Sequence, residues 1–211
     1  APYHARYTAD QYLPVVRSDD ELRDQHPVVA AYRESEESRS FQRDDCIRTV
    51  RPAYQGLIHQ LDDELGRLFD YMDRRRLFDE TLVVFTSDHG DYLGDHGLTG
   101  KNSFFEPATR VPLLVRAPGA EGGRFEGLVE LTDVTATILG HAQVPLPGYY
   151  DSAPLPAAGL EAAGEGREYV FGALASGWMV VDGEWKLCKY ANGQTMLFHL
   201  PSDPKEQHNL Y

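Results

Sequence analysis

Basic residues are scarce in this 211-residue chain, and their scarcity excludes whole classes of partner. The chain has 20 Lys and Arg residues against 33 Asp and Glu residues, which gives a formal net charge of −13. Nucleic acids and anionic membrane surfaces attract proteins through clusters of Lys and Arg. We therefore expect no nucleic-acid partner and no binding to an anionic membrane.

Long apolar runs and a cysteine framework are also lacking. No apolar run reaches the length of about 18 residues that a membrane span requires, so the sequence predicts no membrane-spanning helix. Two cysteines, Cys46 and Cys188, are too few for a disulfide framework. The chain begins at Ala1 without an initiator Met or a signal peptide, which predicts a truncated or processed N-terminus and leaves the compartment unknown.

The apolar content is nevertheless sufficient for a packed core. Hydrophobic residues make up 42% of the chain and aromatic residues 11%, which argues against wholesale disorder. Changes in composition and in the hydrophobic pattern divide the chain into four parts. We predict a loop-rich, substrate-side segment with one short helix over 1–52, an α/β core over 53–144, a linker rich in Pro, Gly and Ala over 145–168, and a small antiparallel subdomain over 169–211.

The α/β core is predicted from two helices and three strands. Apolar residues recur every three or four positions over 53–76, which indicates an amphipathic helix with Pro52 near its first turn. The unbroken apolar run over 81–86 is typical of a strand buried on both faces of a parallel sheet. A second strand is predicted over 111–116, and a third over 128–131 with a helix after it.

The C-terminal region has an antiparallel pattern. We predict strands over 169–174, 178–181, 185–190 and 196–200. Asp182-Gly183 lies between two alternating runs and is a strong hairpin signal. Near the end, Asp203 is a candidate N-cap with Glu206 as its capping-box partner, so a terminal helix is expected.

The residues richest in chemistry directly follow the first buried strand. Asp88 and His89 come first, Gly90 and three further glycines follow, and then Lys101. Ligands of open α/β sheets bind at the carboxyl ends of strands. Adjacent Asp and His side chains can bind one metal ion if the chain turns sharply, as Gly90 permits. The alternative is a polar β-turn with a solvated Asp and His.

This segment resembles sulfatases of the alkaline phosphatase superfamily, whose close relatives are phosphonate monoester hydrolases. The matching motifs are Ser87-Asp88-His89-Gly90, Leu93-Gly94-Asp95-His96-Gly97, Gly100-Lys101 and Arg110-Val111-Pro112-Leu113. Supporting similarity runs from about residue 53 to the end. The resemblance implies part of an alkaline-phosphatase-like α/β sheet with flanking helices, from the C-terminal half of the family fold.

The resemblance also implies a site. Asp88 and His89 would be metal ligands, and Lys101 would be a catalytic residue that contacts sulfate or phosphate oxygens. Sulfatases usually hold Ca²⁺, which we favour, although a His ligand suits Mn²⁺ or Zn²⁺ better. His96 is a candidate for orienting His89, with a structural role in the turn as the alternative.

The family nucleophile is a formylglycine made in a Cys-x-Pro-x-Arg motif. Neither Cys46 nor Cys188 lies in such a motif, so this chain contains no nucleophile. The resemblance places the formylglycine and two further metal-binding carboxylates in an N-terminal half. We expect that half as a partner, and we expect the chain as given to be incomplete and inactive alone.

Three functions follow from this resemblance. The first is hydrolysis of sulfate esters, either small molecules or sulfated glycans. The second is hydrolysis of phosphonate monoesters or phosphodiesters on the same scaffold. The third is a non-catalytic structural or interaction fragment. If half of a larger sheet is uncovered, its exposed edge also predicts self-association into a homo-oligomer.

Overall fold

The computed structural model describes residues 3–156, 158–160 and 166–211. Its N-terminal part holds three short helices, α1 (Asp19–Arg23), α2 (Pro27–Arg33) and α3 (Glu36–Arg39), with 3₁₀ turns at Tyr3–Ala5 and Ser40–Gln42. The Ser18 and Ser35 side chains cap α1 and α3 by accepting backbone N–H bonds. The expectation of one short helix in this part was therefore too low.

The long helix α4 (Asp44–Arg74) begins earlier than the sequence predicted. Pro52 lies inside it rather than near its first turn, and the helix crosses the boundary expected between residues 52 and 53. Proline removes one hydrogen bond from a helix interior. Asp44 and Asp45 favour the earlier start, because acidic side chains stabilise the positive end of the helix dipole.

The two core strands pair differently from the prediction. Strand β1 (Val83–Thr86) pairs antiparallel with β2 (Leu113–Arg116), and Thr86 lies opposite Leu113. A parallel sheet was expected from the apolar run alone, which carries no information about strand direction. The two strands form a two-stranded sheet within the described part of the chain.

The helix predicted after residue 131 is present, but the strand before it is not. Leu128 forms only an isolated bridge with Arg167. Helix α6 (Leu131–His141) begins with a capping box, in which the Glu130 and Asp133 side chains accept each other's backbone N–H bonds. A short helix, α5 (Glu106–Thr109), lies between the two core strands.

The C-terminal sheet confirms the hairpin prediction. Its strands are β3 (Val170–Leu174), β4 (Gly177–Val181), β5 (Trp185–Tyr190) and β6 (Thr195–His199), each antiparallel to the next. At the β4–β5 turn, Asp182 accepts hydrogen bonds from the backbone N–H groups of Glu184 and Trp185. Gly183 adopts a φ of +93°, which the turn requires.

The predicted terminal helix does not form. Glu206 has a left-handed φ of +53°, and its buried side chain is directed into the core rather than toward a helix N-terminus. Asp203 still accepts two backbone N–H bonds, from Gln207 and His208. Beyond it, the Leu210 N–H donates to the carbonyl of Leu197 on β6, so the tail lies along the outer edge of the sheet.

The main core lies between this sheet and the loop that follows β1. Buried side chains of α2, the loop and α5 pack against the inner face of the sheet; they include Val29, Tyr92, Leu98, Phe104, Phe105, Ala108, Met179, Val181, Cys188, Tyr190, Met196 and Phe198. The sheet thus supports the loop that carries the candidate site. Across the described ranges, no helix is both long enough and apolar enough to cross a membrane.

Candidate functional site

Asp88 and His89 lie in a tight turn at the carboxyl end of β1. The His89 N–H donates to Asp88 Oδ1 at 3.0 Å, and Ser87 Oγ donates to the His89 carbonyl at 2.7 Å. The Gly90 N–H donates to the Ala108 carbonyl at 2.9 Å. A Cβ at Gly90 would lie 1.8 Å from the Pro107 carbonyl oxygen, so only glycine allows α5 to support the turn this closely.

The His89 ring is held in one tautomer. Its Nδ1 lies 2.8 Å from the Gly90 carbonyl oxygen, which can only accept a hydrogen bond. Nδ1 therefore carries the proton of the neutral ring, and Nε2 presents a lone pair. Asp88 Oδ2 lies 3.3 Å from Nε2, and the Asp88 side chain is 81% exposed. An oxygen and a nitrogen donor thus face the same accessible space.

Lys101 returns to this pair across the loop. Its Nζ lies 2.5 Å from His89 Nε2, where the ammonium donates to the lone pair. The structure therefore brings together Asp88, His89 and Lys101, the three residues selected from the sequence. Because Nε2 has a single lone pair, donation by Lys101 and coordination of a cation there are alternatives.

The loop between His89 and Lys101 is closed by its own polar groups. Asp91 Oδ1 accepts from the backbone N–H of Leu93 at 2.9 Å and of Gly100 at 3.1 Å, and the Thr99 hydroxyl lies 3.4 Å away. The Tyr92 N–H donates to the Gly100 carbonyl at 3.2 Å. These bonds join the two ends of the loop.

His96 has contacts of its own. Its Nδ1 lies 2.8 Å from Glu21 Oε1, and its buried ring stacks on Phe105 at a centroid distance of 3.9 Å. Arg33 Nε donates to the His96 carbonyl at 2.6 Å. These contacts support a structural role in the turn, and an orienting role toward His89 stays a prediction.

The two cysteines lie apart in the fold. Cys46 is near the start of α4, and Cys188 is buried in the core of the C-terminal sheet. Burial raises the pKa of the Cys188 thiol to about 12, which makes it a poor nucleophile near neutral pH. That neither cysteine is the nucleophile stays a prediction.

The donor set at Asp88 and His89 fits only part of a metal site. A group of three or more His, Cys, Asp or Glu side chains able to hold a metal ion does not occur among residues 3–156, 158–160 and 166–211. Zn²⁺ takes four ligands and Ca²⁺ takes six to eight oxygens. The two residues offer one nitrogen and one carboxylate, so a metal ion bound here would need further ligands from elsewhere.

A buried charge network that no sequence pattern predicted joins α5 to the C-terminal sheet through Lys186. Lys186 Nζ lies 2.6 Å from Glu106 Oε1 and 2.7 Å from Glu206 Oε1. Glu206 Oε2 accepts the Glu106 N–H at 2.6 Å. Glu106 Oε2 also lies 3.8 Å from Nη1 of Arg110. The network anchors α5, whose Ala108 carbonyl holds the turn at Gly90.

Comparison with known proteins shows which proteins this chain resembles. The family model described as Sulfatase matches residues 20–144. A multifunctional alkaline phosphatase superfamily protein, PehA of Trinickia caryophylli, is 38% identical over 66% of this chain and 30% of its own length. A choline-sulfatase of Rhizobium meliloti is 35% identical over 79% of this chain and 34% of its own length.

A solved structure shows the same architecture. The phosphonate monoester hydrolase SpPMH from Silicibacter pomeroyi matches the whole chain with a TM-score of 0.89 and 27% identity, over 48% of its own length. This likeness confirms the fold class expected from the sequence, apart from the strand pairing and the terminal helix corrected above. The chain spans about a third of the curated relatives and about half of the solved structure.

Proposed function

Because the chain belongs to the sulfatase family, we propose that it supplies one side of the active site of a sulfate-ester hydrolase. The observation that carries this proposal is the convergence of three side chains at the end of β1. A carboxylate, a histidine lone pair and an ammonium meet there, although Lys101 lies across a loop from the other two. The oxygens of a sulfate ester can accept hydrogen bonds from an ammonium such as that of Lys101.

Each residue has a role in this proposal. Asp88 Oδ2 and His89 Nε2 would hold a divalent cation, for which Ca²⁺ is favoured and Mn²⁺ or Zn²⁺ are the alternatives. Such an ion supplies polarisation of the sulfuryl oxygens. Lys101 would bind a sulfuryl oxygen through Nζ and neutralise the charge that develops on it. The Gly90 carbonyl would keep His89 in the tautomer that presents Nε2.

The nucleophile and the missing ligands would come from the N-terminal half that the resemblance implies, including a formylglycine. Uncovered apolar surface supports this partner. On α4, Leu57, Ile58 and Leu61 are all at least half exposed, and Leu114 of β2 is 60% exposed. Exposed apolar residues clustered on one helix, as on α4, are typical of an interface. A homo-oligomer formed through the same surface is the competing proposal.

A second candidate is hydrolysis of phosphonate monoesters or phosphodiesters. The phosphonate monoester hydrolase among the structural relatives favours it, as does the imidazole ligand, which suits transition metals better than Ca²⁺. The third candidate, a non-catalytic fragment, predicts no turnover of any ester. An aryl sulfate and an aryl phosphonate monoester assayed in parallel separate the three.

Replacing Lys101 by Ala in the complete enzyme tests the proposal. We expect kcat/KM to fall by roughly 10²–10³, the usual size for one charged contact in the transition state, with unchanged metal content. Lys101→Arg should rescue only partly, because a planar fork does not replace a point charge. Lys189→Ala, an exposed lysine on β5, is the matched control. Full turnover of both esters by Lys101→Ala would refute the assignment.

A further inference from the structure

In the sequence, Asp91 lies between the candidate ligands Asp88 and His89 and the candidate catalytic residue Lys101. It is not one of the three side chains that converge at the end of β1. We propose that Asp91 is a positioning residue, whose carboxylate holds Lys101 beside His89. The importance of that position of Lys101 for catalysis rests on the proposed function. The contact between Lys101 and His89 can be tested without measuring activity.

The geometry of the loop supports this role. One oxygen, Asp91 Oδ1, accepts from the backbone N–H of Leu93 and of Gly100, and the Thr99 hydroxyl is the third donor. Asp91 is two residues after His89, and Gly100 directly precedes Lys101. The carboxylate therefore joins the first and last turns of the loop, and the loop ends where Lys101 begins.

Lys101 needs such support. Its side chain is exposed, and a lysine side chain has high rotamer entropy. Its contact with His89 Nε2 therefore depends on where the backbone at residues 100 and 101 is held. Gly100 has a φ of +72°, a conformation that the bond from its N–H to Asp91 stabilises. Without that bond the loop end is free to move, and the ammonium moves with it.

A ligand role for Asp91 is the alternative that the geometry disfavours. Oδ1 is directed into the loop, where three donors surround it. The other acid of this loop, Asp95, is directed away: its Oδ1 accepts from the Val16 N–H at 2.8 Å and from Arg51 Nη2 at 2.5 Å. Asp95 stabilises the loop without joining its ends, which makes Asp95→Ala a matched control.

The first test is an NMR measurement on the 211-residue chain, which has eight histidines. The ¹⁵N shift of His89 Nε2 reports the contact with Lys101, and Lys101→Met defines the shift when the contact is lost. We expect Asp91→Ala to move the signal to the Lys101→Met position. Asp91→Asn keeps the Oδ1 acceptor, and Asp95→Ala leaves the loop ends joined, so both should keep the wild-type shift.

The second test is turnover by the complete enzyme. Asp91→Ala should lower kcat/KM by roughly tenfold to 10²-fold, as expected for a misplaced catalytic group, and Asp91→Asn should recover most of it. A wild-type His89 shift in Asp91→Ala, when Lys101→Met moves it, would overturn the positioning role. If the shift moves but neither Asp91→Ala nor Lys101→Ala affects turnover, positioning stands and the proposed function fails.

If Asp91→Ala does not fold, the NMR comparison needs a different substitution at this position. Asp91→Ser then replaces it, because a serine hydroxyl is too short to reach both ends of the loop but can still accept one local N–H bond. It should show the Lys101→Met shift. A wild-type shift in Asp91→Ser would count against the proposal in the same way.

Discussion

Replacing Lys186 by Met measures what the buried charge network contributes to the fold. The Lys186 side chain is fully buried, and Nζ also donates to the Phe104 carbonyl at 3.1 Å, in addition to its contacts with Glu106 and Glu206. Methionine keeps much of the length and apolar volume of lysine. The substitution therefore removes the ammonium and leaves Glu206, itself fully buried, next to a second carboxylate.

The expected loss follows from the surroundings of Glu206. Removing one partner of a buried ion pair costs roughly 3–5 kcal/mol, because the remaining charge is uncompensated. Glu206 keeps one donor, the Glu106 N–H, and the Glu106 side chain is 22% exposed, so water screens part of its charge. We therefore expect a loss at the lower end, about 3 kcal/mol. Adding Glu206→Gln removes the uncompensated charge and should recover about 1–2 kcal/mol.

Urea unfolding followed by circular dichroism and tryptophan fluorescence gives the free energies. Trp178 and Trp185 lie on β4 and β5, so the fluorescence reports the sheet that holds Lys186. Lys189→Met on the same strand removes an exposed ammonium and should change stability by less than about 0.5 kcal/mol. A loss of less than about 1 kcal/mol in Lys186→Met, with an unchanged m value, would refute the reasoning.

The pH dependence gives a second check. Burial alone would lower the pKa of Lys186, but the carboxylates of Glu206 and Glu106 outweigh burial and hold that pKa above its usual value. A lysine whose folded pKa is raised contributes its full stabilisation below the unfolded pKa of about 10.4. The stabilisation is lost as the pH rises through the folded pKa. The stability of wild type should therefore fall at alkaline pH as Lys186 loses its proton, and the stability of Lys186→Met should not show this fall.

Three further measurements test other parts of the structure. Gly90→Ala should destabilise the chain by about 1–3 kcal/mol, measured by urea unfolding, because its Cβ would meet the Pro107 carbonyl; an unchanged stability would contradict the close approach. Burial would raise the pKa of Asp133, but hydrogen bonds from Arg167 and the backbone hold that pKa below its usual range. The ionised Asp133 therefore stabilises the fold, and wild type should lose this stabilisation below about pH 4, while Asp133→Asn should not. A thiol reagent should modify one of the two cysteines in the folded chain and both in urea, since burial raises the pKa of Cys188 to about 12; two rapid reactions in the folded chain would exclude this.

The sequence predicted best where short-range signals were sufficient. The Asp182-Gly183 turn and the alternating runs beside it placed β4 and β5 to within a residue. Asp88 and His89 follow β1 directly, and the glycines after them allow the chain to turn back, so the return of Lys101 was also predictable. In these cases the determining residues are close together in the sequence.

The sequence failed where a local signal competed with distant contacts. Pro52 suggested a helix start, yet α4 continues through it from Asp44. Asp203 and Glu206 form a capping pattern, yet Glu206 turns into the core and the helix does not form. The apolar run of β1 predicted a strand, but its antiparallel partner is set by the path of the chain.

Lys186 shows most clearly what only the tertiary structure decided. Lysine is rarely fully buried, so Trp185 and Leu187 would be expected on the inner face of β5 and Lys186 on the outer face. The structure has the opposite arrangement, with Lys186 buried and Trp185 39% exposed. The alternation of a strand decides which residues share a face but not which face is buried. That choice depends on Glu106 and Glu206, two distant carboxylates that the fold brings to the ammonium.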